Sequence, residues 1–198
     1  MSATSDFSHP ALLLIDLQEG FFEDPALALA RQDLAARCNQ LAVAARACGY
    51  PVISVRTVHK EDKSTWTLKM LEDDQGYLFE GTEQAAYLAE LELDGAIEVV
   101  KRRDSAFWDT ELKDLLLQHR ASSLVLAGVS SETCISATAA DAFAANLPVA
   151  VATDATASAD PDFEGTTLEF MRKQHRQKLK TTLEIISDWK HEKELECH

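Results

Sequence analysis

Short apolar or β-branched runs recur at residues 11–17, 51–56, 96–100, 123–129, 147–152 and 181–186, with helical patterns between most of them. That alternation limits the fold more than any other feature. Strands joined through helices pair in parallel, and a parallel sheet must be covered on both faces because the crossover helices lie there. The runs are continuously apolar rather than alternating, as strands buried on both sides require. An α/β domain is therefore expected. At 198 residues the chain can bury one good core but would be cramped as two units, so residues 1–198 are read as a single domain.

Composition removes several function classes. With 46% hydrophobic and 26% charged residues the chain has the balance of an ordinary globular protein. Its net charge of −14 argues against nucleic acid, whose phosphates need clustered Lys and Arg. The first ten residues, MSATSDFSHP, contain no Lys or Arg, and the apolar run at 11–17 is too short for a signal-peptide core or a membrane span. No membrane partner and a cytoplasmic location are expected. Cys38, Cys48, Cys134 and Cys197 form no CxxC pair and have no His cluster beside them, so all four are expected to be reduced thiols without zinc.

The first helix is well marked. Asp24 caps it, Pro25 suits its first position, Gly49 ends it and Pro51 leads into the next strand. Leu34, Cys38, Leu41, Ala45 and Cys48 make one buried stripe, which gives Cys38 and Cys48 a structural reading. Leu112, Leu115 and Leu116 share a second face, and Ile135, Ala139, Ala142 and Phe143 a third. Residues 57–81 fit no such pattern: they are polar and aromatic, with one short helix expected near 65–71. Loops this long serve as lids or interface arms, and this one is read as a lid with a subunit contact as its rival.

Three polar residues stand where the apolar runs end. Asp16 is a lone carboxylate in LLLIDLQ, and burying it unpaired would cost several kcal/mol, so it needs a partner or an exposed strand end. Lys101 directly follows the strand IEVV. Cys134 falls just after the strand SLVLAGV, in a first helical turn that Ser130 or Ser131 could cap. Free amides and the helix dipole there can lower a thiol below its ordinary pKa of about 8.5, although an isolated cysteine is more often an inert small hydrophobe. All three lie at the carboxyl edge of the sheet, where open α/β folds bind ligands. They supply a nucleophile, a base and a cation, and backbone amides around Ser130 and Cys134 could hold an oxyanion.

The segments LLLIDLQEGFF, VVKRRDSAFWDTEL and LAGVSSETCISATAADAF together resemble the isochorismatase-like cysteine hydrolases over nearly the whole chain. The resemblance implies a three-layer, Rossmann-like α/β/α domain with a six-stranded parallel sheet in the order 3-2-1-4-5-6. It also implies a catalytic triad of Asp16, Lys101 and Cys134, a cis peptide between Val129 and Ser130 beside the oxyanion hole, and a homodimer or homotetramer. In that strand order the Lys101 strand lies two places from the Asp16 strand, roughly 10 Å away, so the lysine must reach inward.

Nicotinamidases are similar to this chain but carry an Asp-x-His metal motif, whose positions here are Thr57 and His59. With the carboxylate missing, neither a metal nor any other cofactor is expected, and His59 reads as a polar lid residue. Cys134 favours cleavage of a C–N bond in a small-molecule amide or ureide through a thioester. Two alternatives stay open: vinyl ether hydrolysis of the isochorismatase kind, and a non-catalytic binding or assembly module. Gln18, Phe21, Trp66 and Phe107 are the candidate pocket walls. Trp108 and Trp189 read as ordinary packing or surface residues, Asp141 and Asp154 as helix-face and capping residues, and Arg102 and Arg103 as surface charges able to hold a carboxylate.

Overall fold

The computed structural model describes residues 8–196; Cys197 and most of the amino-terminal MSATSDFSHP stretch therefore lie outside the described residues. The elements run β1 Pro10–Ile15, α1 Pro25–Ala47, β2 Val52–Thr57, α2 Leu68–Asp73, β3 Ile97–Lys101, α3 Leu112–Gln118, β4 Ser123–Val129, α4 Ser136–Ala144, β5 Val149–Ala157, α5 Pro161–Gln174, β6 Lys178–Lys180 and α6 Thr182–Glu196. The strands form one six-stranded sheet in the order β3-β2-β1-β4-β5-β6, and every pairing is parallel. No described helix is long and apolar enough to cross a membrane.

Alternate residues of β1 face opposite layers, as the two-residue period of a strand demands. Leu12 and Leu14 pack with Leu34, Cys38 and Leu41 of α1 and with Ile185 and Trp189 of α6. Leu13 and Ile15 pack with Leu112 and Leu116 of α3, Ile135 and Ala139 beside and within α4, and Met171 of α5. Helix α1 begins as its sequence indicates: the Asp24 carboxylate accepts from the Ala26 and Leu27 amides, and Gly49 takes a left-handed φ of +74° beyond its end.

Gly128 sets the approach of β4 to β1. Its φ is +122°, and a Cβ there would sit 2.0 Å from the Ile15 carbonyl oxygen. Only glycine lets the two central strands close at this level, one residue before Asp16. Asp16 itself has φ +54°, a left-handed turn that asparagine and aspartate tolerate better than most residues, and β1 ends before it.

Three sequence expectations change. Residues 181–186 are not a strand: β6 lies just before them and α6 begins at Thr182. Thr181 and Glu184 form a reciprocal capping box, with the Thr181 amide donating to Glu184 at 2.7 Å, and Asp154 accepts from the Thr182 amide at 2.6 Å. These bonds, and burial of Ile185 and Trp189 four residues apart, override the β-branched run. Phe143 leaves the α4 stripe; it is half-exposed and stacks on His175 with ring centroids 4.7 Å apart. Neither Ser130 nor Ser131 caps the turn that carries Cys134. That turn, Ser131–Ile135, is π-helical, and Ser131 donates instead to Glu164 on α5 at 2.8 Å.

Candidate active site

The ends of β1, β2 and β3 and the turn after β4 meet at one edge of the sheet, the carboxyl edge. The structure brings Asp16, Lys101 and Cys134 together there, each at least 95% buried. Lys101 is the last residue of β3, and its extended side chain crosses above β2. Its Nζ lies 2.8 Å from Asp16 Oδ2 and 3.4 Å from Cys134 Sγ. The two-strand gap is thus spanned by the lysine chain, with Thr57 at the middle. Lys101 donates to Thr57 Oγ1 at 2.7 Å, and Thr57 Oγ1 donates to Asp16 Oδ1 at 2.9 Å.

Hydrogen-bond counting shows how tightly the ammonium is held. Its three protons meet three acceptors, Thr57 Oγ1, the Arg103 carbonyl at 3.1 Å and the Cys134 sulfur, while Asp16 Oδ2 pairs with its charge. Asp16 Oδ2 lies beside the ammonium but receives no aligned hydrogen bond, so it keeps acceptor capacity. Burial works to lower the Lys101 pKa, yet the charge of Asp16 beside it overcomes that and raises it. Lys101 stays charged.

Cys134 does not carry the lowered pKa expected at a helix start. Burial pushes the thiol up, the Asp16 charge adds to this, and the opposing Lys101 charge does not prevail. Both effects disfavour the thiolate in this site. Cys38, also buried, is pushed up to about 12 and faces the Ala155 carbonyl, in keeping with a structural role.

The candidate walls separate. Gln18 is committed to the backbone: its amide donates to the Thr57 and Ala85 carbonyls at 2.9 and 3.0 Å and accepts from the Thr57 amide at 2.8 Å. It is a strut between β1, β2 and the Glu83–Ala85 turn, which corrects its reading as a wall. Phe21 meets Tyr77 edge to face, 6.2 Å between centroids. Trp66 is buried within the 57–81 segment, donating to the Lys60 carbonyl at 2.8 Å and tilting against Phe79. Phe107 is half-buried against the α3–α4 core. Two residues not selected from the sequence matter here. Thr57 is the hinge of the buried network, and Tyr77 feels the charges of Cys134 and Asp16, which add to burial in raising its pKa. A tyrosine in an irregular loop carries no pattern that would single it out, and Thr57 stood out only as the position where an Asp-x-His motif would have its carboxylate.

His59 is buried, and its Nδ1 pairs with the Thr65 carbonyl at 2.9 Å. Burial, opposed by that bond and reinforced by Arg103, Lys101 and Arg102, holds it below its usual 6.5. Among the described residues no three His, Cys, Asp or Glu side chains gather as a metal site needs. The residues present do not fit the metal of an Asp-x-His motif: Thr57 offers no carboxylate and already bridges Asp16 to Lys101.

The sheet order and this edge define an α/β chain with a buried Asp-Lys-Cys cluster, and the comparisons identify its kin. The family model for the isochorismatase domain matches residues 10–183, and the chain belongs to the isochorismatase family. It is 30% identical over 161 residues to a "probable inactive nicotinamidase" of Arabidopsis thaliana, covering 77% of this chain and 82% of that one. It is 33% identical over 143 residues to a maleamate amidohydrolase of Pseudomonas putida, covering 67% of this chain and 65% of that one. The crystal structure of an isochorismatase family protein from Desulfovibrio vulgaris superposes with a TM-score of 0.81 at 30% identity, covering 89% of this chain and 96% of that one.

Proposed function

We propose that the protein hydrolyses a C–N bond of a small amide or ureide through a thioester on Cys134. Family membership makes it a hydrolase; the observation that carries the finer reading is the buried contact of Lys101 with both Asp16 and Cys134. Cys134 Sγ attacks the carbonyl carbon while Asp16 Oδ2 takes the thiol proton. The carbonyl oxygen becomes an oxyanion held by backbone amides at Ser130 and Cys134, beside the cis Val129–Ser130 peptide. The C–N bond breaks as Asp16 returns its proton to the nitrogen, which leaves as ammonia or an amine. Water, deprotonated by Asp16, then attacks the thioester, and acid and thiol are released. Because burial and the Asp16 charge disfavour the thiolate, a base has to take the thiol proton as the sulfur attacks, and Asp16 is the acid side chain placed to do so. Lys101 pairs with Asp16 and stabilises the negative charge that develops on the sulfur as its proton leaves.

The 57–81 segment acts as a lid in this scheme, with Tyr77 and Phe21 meeting above the cleft. The exposed aromatic side chains Phe143, Phe163 and Phe170 suit contact with a second copy. A panel of small amides, ureides and lactams assayed for ammonia tests the reading. Release by the wild type and its loss in Cys134→Ala are expected; no release across the panel refutes it. The non-catalytic reading has its own support in the Arabidopsis relative named a "probable inactive nicotinamidase" and in a thiol only 5% exposed, and it predicts a silent panel.

A further inference from the structure

Beside the lid, Lys60, Thr65, Arg102, Arg103, Trp108 and Asp109 surround a concavity of about 310 Å³, within the range of small-ligand pockets. Its charge runs against that of the chain. The protein has 33 acidic and 19 basic residues, and many of its cations are paired: Arg31 with Glu19 and Glu90, Arg56 with Glu98, Lys63 with Asp74. Lys60, Arg102 and Arg103 have no carboxylate within 4.0 Å among the described residues, and the acids nearby, Asp109 on the rim and Asp62 on the loop, do not close on them. Three cations without a close ion-pair partner around one hollow, offset only in part by Asp62 and Asp109, leave a net local positive field that a small anion would neutralise.

The arrangement is also shaped. Arg103 Nη1 donates to the Thr65 carbonyl at 2.9 Å and to the Arg102 carbonyl at 2.6 Å, so neutral acceptors orient the guanidinium without cancelling its charge. Trp108 is 64% exposed, an unusual position for so large an apolar ring, and it offers a flat face at the same hollow. Arg103 also belongs to the buried network, because its carbonyl accepts from Lys101 Nζ. We propose that this concavity binds a small organic carboxylate with a planar apolar body, its acid held by Lys60, Arg102 and Arg103 and its body against Trp108. The carboxylate belongs either to the distal end of the substrate or to a separate small acid; the recognition chemistry is the same.

Isothermal titration calorimetry of the full chain with benzoate, inorganic phosphate and neutral benzyl alcohol tests this. Benzoate is expected to bind saturably and benzyl alcohol not at all. Lys60→Gln with Arg102→Gln should weaken benzoate about tenfold or more. Arg102→Gln alone, at an exposed side chain, keeps the test valid should the double variant not fold. Trp108→Ala should weaken benzoate while leaving phosphate unchanged. Absence of saturable binding by both anions, or unchanged benzoate affinity in the folded charge variants, would overturn the proposal. Protection of Cys134 from iodoacetamide by bound benzoate assigns the site to the substrate's own acid, and binding without protection assigns it to a separate acid. The heat of binding needs no turnover, so loss of the thioester chemistry and loss of this pocket are separate results.

Discussion

Replacing Lys101 with methionine removes the cation from a buried pair while keeping most of the side-chain volume. Asp16 is fully buried and would be left with the Thr57 hydroxyl and the neighbouring Cys134 thiol but no cation. Breaking one side of a buried ion pair costs about 3–5 kcal/mol, chiefly through the stranded charge. For 198 residues the unfolding entropy makes each kcal/mol worth roughly 2.4 °C, so Lys101→Met should melt about 7–12 °C below wild type. The double variant Asp16→Asn/Lys101→Met strands no charge and should recover at least about 2 kcal/mol of that loss. Thermal unfolding followed by circular dichroism, for the wild type, both singles and the double, gives the full cycle. A single variant melting within about 2 °C of wild type, or a double variant losing the sum of the two singles, would refute the coupling on which the site rests.

Asp16→Asn should cut ammonia release by roughly 10²–10⁴-fold while the fold survives. The same change removes a negative charge that raises the thiol, so iodoacetamide labelling of Cys134 should begin at lower pH; a midpoint unmoved or raised would contradict the assignment. His59, held below 6.5 when folded, leaves the unfolded chain binding more protons in acid. Its contribution is present above pH 6.5 and fades as pH falls below it, so His59→Asn should flatten the loss of stability on the acid side in urea unfolding; an unchanged pH slope counts against it. Gly128→Ala, which drives a methyl into the Ile15 carbonyl, should cost at least about 3 kcal/mol by the same method, and a cost under about 1 kcal/mol would show that β4 can move aside.

Much of the architecture was readable because it rests on repeated local signals. Continuous apolar runs gave five of the six strands, and Asp24, Pro25 and Gly49 framed α1. The failure at residues 181–186 had its own local signal: Thr181 and Glu184 are a capping box that outweighs the β-branched residues between and after them. The cluster itself was legible as three polar residues at apolar strand ends, with the family resemblance supplying the pairing. Three things were not legible. Thr57 gains its place only because β2 lies between β1 and β3, and Gln18 turns inward to backbone groups distant in sequence. The thiol's raised pKa depends first on burial, a property of the packed tertiary structure that local sequence does not carry.

In the proposed reaction Cys134 carries the acyl group during turnover. Rapid acid quench of the protein with an amide that releases ammonia, followed by intact-mass and peptide mass spectrometry, tests this directly. An acyl adduct is expected on Cys134, and it should disappear together with ammonia release in Cys134→Ala. Ammonia released at the wild-type rate by Cys134→Ala, with no adduct on any cysteine, would contradict it.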